Sequence, residues 1–97
     1  MTRLGYQIPN FTYPGTSEAG IFDSVVAQAK AAEAAGFDRV FVMDHFYQLP
    51  GIGNPEEPML ECYSVLSALA QHTKTVRLAA LVTGNTYRHP TLLAKAV

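Results

Sequence analysis

A single cysteine, Cys62, and no tryptophan occur among the 97 residues. One thiol cannot close an internal disulfide or build a cysteine-rich zinc site, which excludes a disulfide-stapled secreted module and favours a reducing compartment. Charge of one sign is lacking as well: seven Lys+Arg stand against eight Asp+Glu, a net charge of −1. The chain therefore offers no electrostatic footprint for nucleic acid or an anionic membrane surface, and neither is expected as a partner. No stretch approaches the roughly 20 apolar residues of a membrane span, and MTRLGYQIPN has no apolar signal-peptide core. A cytosolic (cytoplasmic) protein is expected. What is present, 48% hydrophobic and 15% charged residues, is the balance of a globular domain.

Periodicity divides the chain into alternating strands and helices. Leu4, Tyr6 and Ile8 alternate with Gly5 and Gln7 before Pro9, the pattern of a short strand over Leu4 to Ile8. From Ile21 to Ala35, Phe22, Val25, Val26, Ala29 and Ala32 share one helical face. Gly36 stands where a left-handed stop is wanted, with Phe37 placed against Ala32. Val40 to Met43 is apolar throughout, as in a strand covered on both faces of a parallel sheet. Pro58 can open a second helix running to His72, with Cys62, Val65, Leu66, Leu69 and Ala70 inward. Val76 to Val82 reads as a third strand and Pro90 as the first turn of a third helix.

The order is βαβαβα, an α/β fold class with strands starting roughly 35 residues apart. Eight such units give roughly 280 residues, the span of a (β/α)8 TIM-barrel. Residues 1–97 are thus expected to supply the first three βα units, an N-terminal fragment of such a domain. Taken alone, three parallel strands leave open edges, so the polypeptide is expected to fold poorly, to self-associate as a homo-oligomer, or to need a completing chain. The loops leaving strands are long and those leaving helices short, which places function at the carboxyl ends of the strands.

The densest polar cluster is Asp44-His45 at the end of the second strand. A carboxylate and an imidazole there can supply hydrogen bonds and proton transfer to a ligand in a barrel mouth; equally, Asp44 can cap the loop and His45 can be solvated. Gly51-Ile52-Gly53 neither follows a strand directly nor continues to a third glycine, and is a flexible loop. Glu56, Glu57 and Glu61 crowd a helix start, where acids are favoured by the dipole. His72 and His89 have no partner at metal-ligand spacing, so no metal site is expected. Cys62 sits on an apolar helix face, as an inert thiol does. The loop Thr83 to Arg88 can meet an anion with its amides and guanidinium, or can simply turn the chain.

Taken together, GYQIP, AAEAAGFDRVFVMDHF and VRLAALVTGNTYRHPTLLAK resemble the N-terminal third of luciferase-like flavin and deazaflavin oxidoreductases. They are most similar to the branch that uses coenzyme F420. The resemblance implies a (β/α)8 barrel holding the cofactor ring in its mouth, with Asp44 hydrogen-bonded to the ring system and His45 near the reacting carbon. It implies that Thr83 lines the pocket and that a non-prolyl cis peptide at Leu81–Val82 backs the ring. The implied reaction is hydride transfer between F420 and a small organic substrate, the chemistry being the cofactor's and the positioning the protein's. His45 is then a general acid or base. Two alternatives stand beside it, an FMN-dependent luciferase-like monooxygenase and a non-catalytic βα module completed by a partner. Because the tail-binding loops of the family lie beyond Val97, the 97-residue chain alone is expected to be inactive.

Overall fold

Three parallel strands form one sheet in the computed structural model, which describes residues 1–97: β1 (Gly5–Ile8), β2 (Arg39–Val42) and β3 (Arg77–Ala80), in the order β1-β2-β3. The helices α1 (Ile21–Ala34), α2 (Cys62–Leu69) and α3 (Pro90–Ala96) follow them in alternation. Tyr6 pairs with Val40 and Val40 with Leu78, so the strand ends are level and the loops leaving them meet at one edge. Strand alternation gives the sheet two unlike faces. Ile8, Val40 and Val42 are fully buried and pack with Val25, Ala29 and Leu69 of the helices. The opposite face carries Gly5, Gln7, Arg39, Phe41, Arg77 and Ala79.

On that second face Phe41 lies back over Gly5, so closely that a Cβ at position 5 would overlap the ring. A glycine is therefore required there by contact rather than by backbone conformation. At the end of α1 the expected stop is present: Gly36 has φ +86°, its N–H reaches Glu33 O, and Phe37 N reaches Ala32 O at 3.1 Å, the paired bonds of a Schellman motif.

Three boundaries differ from the expectation by two residues or more, and the others agree to within one. Helix α2 begins at Cys62 and not at Pro58, because the Glu61 carboxylate accepts the Ser64 N–H at 2.7 Å and fixes the cap there. The same helix closes at Leu69, since Gln71 N and His72 N turn back to Ala68 O and Leu69 O, the tighter i→i+3 bonding of a helix end. Strand β3 stops at Ala80, short of Val82. Helix α3 starts at Pro90 as its sequence suggests, with His89 Nδ1 accepting from Thr91 N at 3.3 Å. No helix is long and apolar enough to cross a membrane.

Helix α3 buries no residue. The accessible surface is 6430 Å², against about 5400 Å² for a compact monomer of this mass, and the radius of gyration is 13.6 Å, against about 12.5 Å. Apolar side chains left exposed include Leu81 and Val82 after β3 and Leu92 on α3. The 97-residue polypeptide by itself is accordingly expected to self-associate or to unfold without a sharp transition. Sedimentation combined with calorimetry checks this, and cooperative two-state melting of a verified monomer would speak against it.

At the amino ends of the strands, Glu33 ties α1 to the turn before β3. Its Oε1 accepts from Lys74 N (2.7 Å), Thr75 N (2.5 Å), Val76 N (3.0 Å) and Thr75 Oγ1 (3.1 Å). Those backbone donors hold its carboxyl down from 4.5 to about 2. A folded-state value below the ordinary one stabilises the native protein above pH 4.5, and that contribution is lost as pH falls toward 2. Glu33→Gln is expected to lower Tm at neutral pH and to flatten the dependence of Tm on pH across that window. A Tm–pH profile of the variant indistinguishable from the parent's would remove Glu33 from the account.

Candidate functional site

The level ends of the strands bring three loop segments together. Asp44 leaves β2 on the helix-facing side and is buried, with 5% of its side chain exposed. Its Oδ2 accepts from Gly84 N at 2.8 Å and from Arg88 Nη1 at 2.6 Å, and its Oδ1 accepts from Arg88 Nη2 at 2.8 Å. This is a two-pronged guanidinium–carboxylate pair, among the strongest charge-assisted geometries available to side chains. The Arg88 guanidinium, opposed by burial and aided by the Gly84 N–H, keeps the Asp44 carboxyl below its usual range. Arg88 in turn is held firmly protonated by Asp44 and Glu61.

Glu61 completes the far side, accepting from Arg88 Nη2 while it caps α2. Burial works against its ionisation, but Ser64 and Arg88 prevail and its carboxyl also lies low. The guanidinium stands over the Tyr63 ring, 4.8 Å from the centroid, a cation–π placement. The Tyr63 hydroxyl lies 2.5 Å from Thr83 Oγ1. Behind them Cys62 is buried and donates to Val42 O. Burial and the neighbouring Asp44 and Glu61 carboxylates push its thiol up to about 12, so it stays protonated and unreactive.

His45 is partly buried and lines an open cavity of about 770 Å³ between α2 and α3, with Tyr63, Ser67, Tyr87, Arg88 and Leu92 on its walls; Leu81, Val82 and Thr83 do not line it. The Phe46 and Tyr87 rings lie 4.5 Å apart. Leu81 N donates to Val42 O at 2.8 Å, continuing the ladder one step past β3. The Leu81–Val82 peptide is cis, and both side chains are exposed, 41% and 66%. Thr83 follows, partly buried, with its hydroxyl on Tyr63. The loop from Asp44 is pinned across β1 by buried Gln48, whose Nε2 donates to Pro9 O at 3.1 Å. No cluster of three His, Cys, Asp or Glu side chains is arranged to hold a metal ion.

The five residues singled out in the sequence, Asp44, His45, Leu81, Val82 and Thr83, thus lie at one edge of the sheet. Arg88, Glu61 and Tyr63 were not singled out as site residues. The anion that the Thr83 to Arg88 loop meets is the chain's own Asp44. The signal was divided between a dense acid run and a loop arginine, and only the parallel register joins the two.

The family model of luciferase-like monooxygenases matches residues 2–97. The chain belongs to the luciferase-like monooxygenase family. Solved structures of this luciferase-like fold agree with the architecture. One is a type II Baeyer–Villiger monooxygenase, the oxygenating constituent of 3,6-diketocamphane monooxygenase from the CAM plasmid of Pseudomonas putida in complex with FMN. It is 23% identical, with a TM-score of 0.79 over 100% of this chain and 25% of that one. Another is an F420-dependent secondary alcohol dehydrogenase in complex with an F420–acetone adduct. It is 25% identical, with a TM-score of 0.73 over 98% of this chain and 26% of that one. The luciferase-like chain therefore spans about a quarter of the length of these structures, and its fold class is that of three βα units of a TIM barrel. No curated protein matches it in sequence.

Proposed function

We propose that these residues form the cofactor side of an oxidoreductase that transfers a hydride between deazaflavin coenzyme F420 and a small organic substrate, as the N-terminal part of a (β/α)8 barrel. The observation that carries the reading is the exposed apolar pair Leu81 and Val82 at the end of a strand, beside Thr83 and within the same edge as His45. Large apolar side chains exposed at a strand end suit the face of a flat ring, and a hydroxyl and an imidazole beside them suit its polar margin. The exposed apolar pair beside a hydroxyl and an imidazole is a donor set that suits an organic redox cofactor. When bound, F420 supplies the carbon that gives or takes the hydride.

The chain's own groups then have separate tasks. Leu81 and Val82 support the ring and exclude water from one of its faces, and Thr83 sits at its edge. Asp44 serves cofactor placement: three of its acceptor positions hold Gly84 N and Arg88, which fixes the Thr83–Gly84 backbone, and Oδ1 keeps a further lone pair. His45 holds or delivers a proton at a ring nitrogen toward the substrate.

A second reading, an FMN-dependent monooxygenase, is supported by the match of residues 2–97 to the luciferase-like monooxygenase family. Titration of the complete protein with F420 and with FMN separates the two, since deazaflavin does not support the oxygen chemistry of FMN. Tight F420 binding without oxygen consumption is expected; binding of FMN alone overturns the F420 reading, and binding of neither overturns both.

A further inference from the structure

Arg88 makes no hydrogen bond to Leu81, Val82 or Thr83, yet the contacts of all three loop segments close through it. Its two terminal nitrogens grip both oxygens of Asp44, one of them also reaches Glu61, and its flat face rests on Tyr63. Tyr63 continues to Thr83 through its hydroxyl, the chain continues to Gly84, and Gly84 N returns to Asp44. The contacts form a closed circuit, Asp44–Arg88–Tyr63–Thr83–Gly84–Asp44, anchored on the α2 cap by Glu61. The whole circuit lies between the sheet edge and the starts of α2 and α3. Only 14% of the Arg88 side chain is exposed.

We propose that Arg88 is a positioning residue for the cofactor wall: through Asp44, Gly84 and Tyr63 it sets where Val82 and Thr83 stand relative to His45. The proposal rests on the cofactor reading given above. A fork is needed because two terminal nitrogens must meet both Asp44 oxygens while one of them also reaches Glu61, with the guanidinium carbon held over the Tyr63 ring. Lysine, a point charge with a flexible stem, supplies the charge without that plane. Removal of Arg88 takes two of the three donors from Asp44 and the cation from Tyr63, so the circuit opens at two joints. The wall then loses its fixed distance from His45, and misplacement on the scale of 1 Å is enough to weaken a preorganised site strongly.

The test uses the complete protein and two probes, F420 and FMN, with dissociation constants read by fluorescence and Tm measured alongside. Arg88→Ala is expected to raise the dissociation constant of whichever cofactor the parent binds by about 10- to 100-fold, as loss of an outer supporting group does elsewhere. Millimolar guanidinium is expected to restore most of that loss, and Arg88→Lys to recover little of it at a Tm close to the parent's. Parental affinity in Arg88→Ala, with the parent itself binding, overturns the positioning role and leaves the cofactor reading intact. Full recovery by lysine also overturns it, since charge alone then suffices. Should Arg88→Ala fail to fold, Arg88→Lys decides: weakened binding at unchanged Tm supports the proposal, and parental binding overturns it. A parent that binds neither probe removes the cofactor reading and the proposal together.

Discussion

Replacing His45 by alanine is expected to lower kcat of the complete protein by about 10²- to 10⁴-fold, the usual worth of a positioned general acid or base, while cofactor affinity changes much less. The expectation follows from where the residue stands. It is the first residue past buried Asp44, and the circuit through Arg88 holds the backbone on which it sits. A group that acts only on the reacting proton should lower kcat and kcat/KM together and leave ring binding alone. Single-turnover measurements with the cofactor bound report the step directly. An unchanged kcat, with the chemical step shown to be rate-limiting, returns His45 to a packing or binding role.

Asp44→Ala should show the opposite division, a loss of cofactor binding first and a large loss of stability with it. Its removal leaves a mostly buried guanidinium with only half-exposed Glu61 as an ionic partner. Breaking a buried pair by removing one member costs about 3 to 5 kcal/mol, and the surviving Glu61 contact places this case near 3 kcal/mol. Denaturant unfolding of the complete protein measures it. The acid limb gives a second check: Arg88 lowers the Asp44 carboxyl in the folded state, so its contribution is present above pH 3.8 and fades as pH falls further. Asp44→Ala should lack that part of the acid sensitivity. A variant with parental stability and parental cofactor affinity would contradict both roles of the carboxylate.

The parts of this fold that were legible in the sequence are those governed by neighbours along the chain. Val25, Ala29 and Ala32 recur with the helical period and are buried. Gly36 ends α1 because a left-handed residue must stand there, and VFVM announces a strand, though one buried only at Val40 and Val42, with Phe41 between them half-buried on the other face. Asp44 and His45 were legible as a polar pair where a strand stops and a long loop begins, whereas Leu81 to Thr83 were named as cofactor residues only through the family resemblance. What escaped was set by contacts across the register. Arg88 lies 44 residues from Asp44, and no local pattern tells a loop arginine awaiting an external anion from one already joined to a carboxylate. The start of α2 escaped because Pro58 is a good opening residue, whereas Glu61 wins by also holding Arg88.

Gly5 stands at the far end of β1 from the chemistry, and its lack of a side chain lets the Phe41 ring fold toward the amino edge of the sheet. Nearer the carboxyl edge the same face then carries only Gln7 and the methyl of Ala79, the register partners of Phe41. In the proposed reading, the space above that low step takes the flat cofactor beside Leu81 and Val82. A side chain as small as alanine at position 5 would tip the ring toward it, so the depth of the mouth is governed from the opposite rim, by an atom that is missing.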